Sequence, residues 1–573
     1  MDIRENIIEL IKKALGVLGV VDAKITLEHP ENFEHGDYST SVALAYAKEL
    51  KMKPHDVAEK IVAELNKALP EHIERIDIAG PGFINFHLTR QFFVDSLKQI
   101  ISAGNMYGKN YSQKGKSVLV EYTDANAFKE LHIGHLMSNT IGEALSRIIE
   151  ANGADVKRAC YSGDIGLHAA KAVWGMMYFQ KQSDFPIETD ILSIKARFLG
   201  KAYAYGATEY EENEHAKKEI IAINKHIYAK DDKEIIKLYT TGRTWSYAYL
   251  ETIYKKLGTN FDYFFYESET TPVGLKIVEE GLEKGVFEKS DGAVVFKGEK
   301  YGLHTRVFIN SEGLPTYEAK DLGLNKKKFE TAPFDQSIII TANEQTEYFK
   351  VMLKALSLIY PEMAEKTTHI AHGFLRLPTG KMSSRTGQVV TGESLIVEAE
   401  TEIEKKIVER GFSGSEKEEI VRLVGAAAIK YTILKQAPGR DVIFDMEKSL
   451  STEGDSGPYL QYAHTRALSV LEKAKTENIT GNTQGVPEAV SSIEQYLYRF
   501  PEVVERAMAD KAPQLIATYL IELAASFNGY YATNKIVDIT DATSPYKVAL
   551  THAFRIVMKN GLWMLGIGVP SKM

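Results

Sequence analysis

The stretch from Ser117 to Tyr161 restricts the possible folds more than any other part of the chain. Val118-Leu119-Val120-Glu121-Tyr122 is a short apolar run of the kind that forms a strand buried on both faces. A polar loop follows, then a helix from about Gly134 to Asn152 in which Leu136, Thr140, Ile141, Ala144, Leu145, Ile148 and Ile149 share one face. Val156–Tyr161 reads as a second strand that runs into a glycine-containing loop. Strand, loop, helix and strand in that order open a parallel, nucleotide-binding sheet with helices on its faces, so the fold class is α/β.

Other patterns surround this core. Helical periodicity runs through Ile3–Leu18 and Val57–Leu69, and Ile76–Leu88 reads as strand with a Pro81-Gly82 turn inside it. Residues 1–110 are therefore expected to form a small N-terminal α/β domain, with Gly104–Lys116 as linker. The charged segment from about Trp174 to Lys256 reads as a helical insertion into a 111–395 domain. Sheet-like segments return at Gly292–Phe296, Thr305–Ile309 and Ser337–Thr341. Residues 396–573 are expected to be all helical, with Ile420, Leu423, Val424, Ala427 and Tyr431 on one face and Thr476–Gly485 as a loop.

Composition narrows the class. A chain of 573 residues, 44% hydrophobic and 25% charged, has room for three or four cored domains. The single cysteine, Cys160, excludes an internal disulfide framework and a multi-thiolate zinc site, and fits a reducing cytosol. No leader-like start and no bilayer-length apolar run is present, so neither secretion nor a membrane partner is expected. A net charge of −8 argues against a non-specific nucleic-acid coat and leaves a specific RNA partner open.

Two motifs carry chemistry. His132-Ile133-Gly134-His135 falls at the turn between the first strand and its helix, where imidazoles and helix N-terminal N–H groups make an anion site. Lys381-Met382-Ser383-Ser384-Arg385-Thr386-Gly387, preceded by Pro378-Thr379-Gly380, describes a loop able to close over a triphosphate with an ammonium group. In this order and separation the two resemble the HIGH and KMSKS signatures of class I aminoacyl-tRNA synthetases. Further segments are similar to the arginyl family. They are the run from Val120 to Leu131, Gly313-Leu314-Pro315-Thr316-Tyr317-Glu318-Ala319-Lys320-Asp321 and Glu344-Gln345-Thr346-Glu347-Tyr348-Phe349. Gly36-Asp37-Tyr38 and Gly80-Pro81-Gly82-Phe83-Ile84-Asn85-Phe86 look like that family's additional N-terminal domain. The run Gly457-Pro458-Tyr459-Leu460-Gln461-Tyr462-Ala463-His464-Thr465-Arg466 looks like its anticodon-binding domain.

The resemblance implies a Rossmann-type catalytic domain, ATP and magnesium as cofactors, and L-arginine and tRNA(Arg) as partners. It implies arginine activation as arginyl-adenylate, dependent on bound tRNA, and then transfer to the tRNA 3′ end. By position, Glu121, Tyr317 and Asp321 would hold the guanidinium, and Asn126, His132 and Gln345 the α-amino and carboxylate groups. His132, Gly134, His135, Lys381, Met382 and Ser383 would face ATP, with His132, His135, Lys381 and Lys129 as the catalytic set and no resident metal. Tyr38, Phe83, Asn85, Tyr459 and Arg466 would meet tRNA, with Tyr459, Tyr462 and Arg466 at helical spacing for stacking on bases. A cytoplasmic monomer is expected.

The sequence departs from the family pattern in several places. Ser384 replaces the second lysine of the KMSKS signature, and Lys129 or Arg385 would supply the missing charge. Asp124-Ala125 replaces a small-hydroxyl-and-proline pair, and its carboxylate would either repel the substrate carboxylate or anchor the amino group. Ser41 stands where an asparagine is usual, the Tyr161–Gly166 loop lacks a tryptophan, and Tyr348 replaces a common histidine. A class I lysyl or cysteinyl enzyme and a catalytically silent RNA-binding paralogue are the competing readings. The single cysteine opposes the cysteinyl case, and the retained histidines and Lys381 oppose the silent one.

Overall fold

Among the described residues, five parallel strands form the main sheet: β1 (Ser117–Glu121), β2 (Asp155–Ser162), β3 (Tyr263–Tyr266), β4 (Gln336–Ala342) and β5 (Thr367–His372), in the order β5-β4-β1-β2-β3. The computed structural model describes residues 3–187, 189–378, 390–408 and 411–573. Val118 is in register with Val156, Val120 with Ile338 and Ile340 with Ile370. Val120, Ile338 and Ile340 are wholly buried, which is why these runs are continuously apolar instead of alternating. After β1 the chain builds the sheet to one side through β2 and β3, then crosses back to lay β4 on the other edge of β1. Strand order thus reverses between β1 and β4, and in open α/β sheets the crevice beyond the carboxyl ends at such a point is where ligands bind.

Helix α1 (Ile133–Ala151) follows β1 and is enclosed on nearly every side, beyond the single apolar face read from its sequence. Two of its buried polar residues tie it to neighbouring segments. Ser138 Oγ donates to the Ile340 carbonyl at 2.8 Å and accepts the Thr123 N–H at 3.0 Å. Asn139 donates to Thr123 Oγ1 at 2.9 Å and accepts from Thr259 at 3.1 Å. Gly142 lies against the Tyr122 ring, which a Cβ there would overlap. Helices α2 (Glu267–Glu283) and α3 (Tyr317–Thr331) approach each other through Gly274 and Gly323, where a Cβ on either would overlap the other helix's backbone.

Between β2 and β3 lie the helices Leu167–Lys181, Leu192–Glu212, Glu214–Ala229 and Lys233–Lys256, the first beginning directly after Gly166. Ala169, Val173, Met176, Phe198, Leu199, Ile220 and Ile223 of these helices share one core with Ala127, Phe128 and Ile165. Of the later sheet-like segments only β4 joins the parallel sheet. Ala293–Phe296 and Arg306–Ile309 pair with Glu288–Ser290 in a separate antiparallel sheet. The cause is local: Asp291 and Gly292, both left-handed, close a two-residue hairpin between Ser290 and Ala293.

The backbone divides into two compact units, Lys109–Tyr462 with Val503–Ile521 and Gly561–Met573, and Met1–Gly108 with Ala463–Glu502 and Glu522–Asn560. In the second, Ile76–Leu88 is a hairpin of Ile73–Ala79 and Phe83–Leu88, with Tyr38–Thr40 added to its edge. Ile7, Ile11, Leu15, Val57, Ile61 and Phe86 fill its core together with Tyr498 from far along the chain. Among the described residues no helix is long and apolar enough to cross a membrane.

Candidate active site

The carboxyl end of β1 delivers Glu121 and then a loop held in unusual backbone geometry. Thr123, Asp124 and Phe128 all have positive φ, at 79°, 50° and 63°, although none is glycine. Such conformations persist only where the surroundings impose them. Here the Thr123 N–H donates to Ser138, the Asp124 carboxylate accepts the Tyr161 N–H at 2.8 Å, and the Phe128 N–H donates to Ser246 Oγ at 2.9 Å.

At the start of α1 the two motif histidines stack, ring centroids 3.6 Å apart. His132 Nδ1 accepts the Gly134 N–H at 3.0 Å, and His135 Nδ1 accepts the His132 N–H at 3.3 Å, a reciprocal cap made of imidazoles. Two backbone donors that the sequence reading left for an anion are therefore taken. In exchange, both Nδ1 atoms must be acceptors, so each neutral ring carries its proton on Nε2 and presents it as a donor. Burial, the neighbouring His132 and the Lys129 ammonium push His135 well below the usual histidine range, which keeps it neutral.

Acidic side chains cluster at the same carboxyl end of the sheet. Glu121 is buried and paired with the fully enclosed Lys328 at 2.8 Å. Asp321, on the first turns of α3, accepts the Tyr348 hydroxyl at 2.6 Å, and burial with nearby Glu121 and Glu267 raises its pKa to about 7. Asp124 is pushed up by burial and by Glu121 as well. Glu267, at the carboxyl end of β3, pairs with Lys320 at 2.7 Å. Asn126 Oδ1 accepts the Gly163 N–H at 3.1 Å, which orients its amide. Tyr317 and Gln345 are exposed at the starts of α3 and of α4 (Thr346–Ile359), immediately after β4. Lys328, Lys320 and Glu267 were missed in the sequence. Lys328 lies seven residues after Asp321, the same-face spacing of a helix, but the run Lys326-Lys327-Lys328 reads as a solvated surface.

Lys381, Met382 and Ser383 lie outside the described residues. The chain after them returns to the site: Thr391 bridges His132 and the Gly392 N–H donates to the Leu131 carbonyl at 2.7 Å. Of the residues expected at RNA, Phe83 is exposed, while Tyr38 is wholly buried with its hydroxyl on Glu502 at 2.5 Å. Asn85 is buried and accepts from Ser39. Tyr459 is half-buried, and Arg466, also half-buried, donates to Asn528 and lies 5.0 Å from the Tyr531 ring centroid.

A parallel sheet with stacked imidazoles and a carboxylate pocket at its switch point can hold a phosphate ester and a cation together. The family model for tRNA synthetases class I (R), catalytic domain, matches residues 96–446. The chain belongs to the arginyl-tRNA synthetase family. The DALR anticodon binding domain matches residues 460–573 of this synthetase and the arginyl tRNA synthetase N terminal domain matches residues 1–88. The arginine–tRNA ligase of Treponema denticola is 32% identical, with 95% of this chain and 94% of the relative covered. That of Pyrococcus abyssi is 31% identical over 100% and 99%. The solved Thermus thermophilus arginyl-tRNA synthetase superposes with a TM-score of 0.82 at 25% identity, both chains fully covered.

Proposed function

We propose that this synthetase couples L-arginine to tRNA(Arg): it activates arginine with ATP to arginyl-adenylate, releases pyrophosphate, and passes the arginyl group to the tRNA 3′ end, releasing AMP. The observation that carries this reading at the level of residues is the cluster of Glu121 and Asp321, together with the stacked histidines that open the helix directly after the Glu121 strand. A guanidinium needs planar acidic acceptors, and charge-assisted pairs of this kind are about twice as strong as neutral ones. Asp321 and Glu121 would take it, with Tyr317 along its side. Asn126 and Gln345 would turn the α-amino and carboxylate groups toward the histidines. The substrate carboxylate oxygen attacks the α-phosphorus as the bond to pyrophosphate breaks. The Nε2–H groups of His132 and His135, with Gly134 allowing close approach, would stabilise the charge that builds on the phosphate oxygens.

Lys129 would add positive charge on the phosphate side, together with Lys381, Met382 and Ser383 from the KMSKS-like segment. Magnesium, when bound with ATP, neutralises phosphate charge. Its hard-oxygen preference suits phosphates and water, whereas the protein offers imidazoles and ammonium groups there. For RNA, Phe83, Tyr459 and Arg466 are the proposed contacts, with Tyr38 and Asn85 fixing the strands beneath Phe83. We further propose a cytoplasmic monomer, a state that sedimentation of the purified chain tests. The deciding experiment is aminoacylation of bulk tRNA with each amino acid in turn, alongside arginine-dependent ATP–pyrophosphate exchange with and without tRNA. Charging by arginine alone, and exchange only with tRNA, is expected; charging by lysine instead would overturn the assignment.

A further inference from the structure

We propose that the helical insertion is part of the catalytic apparatus, and that Tyr203 in it is a positioning residue for Lys129. This rests on the reading that Lys129 meets the ATP phosphates. The lysine belongs to a loop that the segment just after β2 anchors at Ala127 and that the insertion holds at Phe128 and Glu130. Ala127 is tied by its N–H to the Gly163 carbonyl at 3.0 Å. Phe128, left-handed at φ 63° and fully buried, gives its N–H to Ser246. Its ring stacks on Tyr239 with centroids 6.0 Å apart and lies so close to Gly242 that a Cβ there would overlap it. Glu130 lies within 3.3 Å of a Cβ placed on Gly200. Between these fixed points the Lys129 ammonium lies 5.2 Å from the centroid of Tyr203, whose ring is itself half-buried against the insertion core.

The physical consequence concerns the lysine stem. A solvated lysine has four rotatable bonds and loses most of that freedom when it engages a phosphate. A ring face that attracts the ammonium narrows the ensemble before the substrate arrives. It does so without neutralising the charge, as a carboxylate partner would. The lysine can then leave the ring for phosphate oxygens at little electrostatic cost. The insertion thus turns a flexible side chain into a pre-aimed one.

Single-turnover adenylate formation with tRNA present, measured for a small set of variants, tests this. Tyr203→Met keeps an apolar, unbranched side chain on the core but removes the ring face. It is expected to slow adenylation by about fivefold, with the arginine KM and the melting temperature unchanged. Tyr203→Phe, which retains the ring, is expected to stay within about twofold of the parent. Adding Tyr203→Met to Lys129→Ala should cost nothing further, because the ring acts only through the lysine. A Tyr203→Met rate within about twofold of the parent, in an enzyme that Lys129→Ala does slow, overturns the proposal, as does full additivity of the two changes. A Lys129→Ala rate within about threefold of the parent would instead remove the reading of Lys129 beneath it. Should Tyr203→Met lower the melting temperature, Tyr203→Leu and Tyr203→Trp decide. Recovery by the tryptophan alone supports the ring, and equal rates for both overturn it.

Discussion

Asp321 holds its proton to about pH 7 because burial and two neighbouring carboxylates outweigh the hydroxyl that Tyr348 gives it. A guanidinium needs the ionised form, so arginine binding should tighten as pH rises through 7. Affinity at pH 6 is expected to be about tenfold weaker than at pH 8, measured by calorimetry on the free enzyme. Stability runs the other way. The folded chain keeps this proton to about pH 7, whereas the unfolded chain releases it near 4, so the folded state binds more protons in that window and loses stability as pH rises through it. Arginine should therefore raise the melting temperature more at pH 8 than at pH 6. Asp321→Asn keeps the shape and removes the charge. It should flatten the pH dependence and reduce kcat/KM for arginine by about 1.5–3 kcal/mol, tenfold or more. An unchanged kcat/KM in that variant would leave Asp321 no part in recognition.

Elements set how far these side chains can reach. Helix α3 carries both Tyr317 and Asp321, and its distance from α2 is set by Gly274 against the Ala319 carbonyl and by Gly323 against the backbone around Thr270. Gly274→Ala would force the two helices apart. The expected cost is about 1–3 kcal/mol of stability, the range for overpacking, and arginine KM should rise with it because α3 takes Asp321 along. Thermal melting and arginine titration of the same preparation check both. A lowered melting temperature with unchanged KM would mean that the pocket is held by Lys328 and Tyr348 alone. Other element boundaries were readable from local chemistry. Ile133–Ala151 was placed to within a residue by its apolar spacing, whereas the hairpin at Asp291-Gly292 rests on two left-handed residues that only the structure shows. That hairpin also removes two strand-like segments from the parallel sheet, a result that propensity alone does not separate from membership.

At the scale of the whole molecule, the last thirteen residues, Gly561–Met573, belong to the same compact unit as the catalytic sheet. The Lys430 ammonium, fully enclosed, donates to the Gly566 carbonyl at 2.7 Å and to the Leu257 carbonyl at 2.5 Å. Arg147 donates to the Trp563 carbonyl at 3.1 Å, and Gln461 to that of Gly568 at 2.7 Å. Burial lowers Lys430 to about pKa 7, so these carbonyls are what keep it tolerable in the interior. Removing Gly561–Met573 should destabilise the unit by about 3 kcal/mol or more, seen as a drop in urea midpoint. Lys430→Met in the truncated chain should recover part of the loss, since the stranded ammonium would then be gone. No change in midpoint on truncation would disprove this role of the tail.

The sequence by itself determined the parallel-sheet core, the place of the histidine motif at a helix start and the family the chain belongs to. Each is encoded in spacing over a few residues or in short segments matched whole. Tertiary structure alone decided what those residues face. Glu121 meets Lys328 across a separation of 207 positions, and Lys320 meets Glu267 across 53. Nothing in a lysine-rich run distinguishes a solvated ammonium from a buried one until the fold closes over it. The same holds for Tyr38, whose motif suggested a surface contact and whose ring the core encloses. The clasp of the insertion on Phe128 and Lys129 also became visible only in three dimensions. Local pattern records the period of a helix or strand because neighbouring backbone groups impose it. Which charge is buried beside which depends on chain segments brought together only when the apolar core forms.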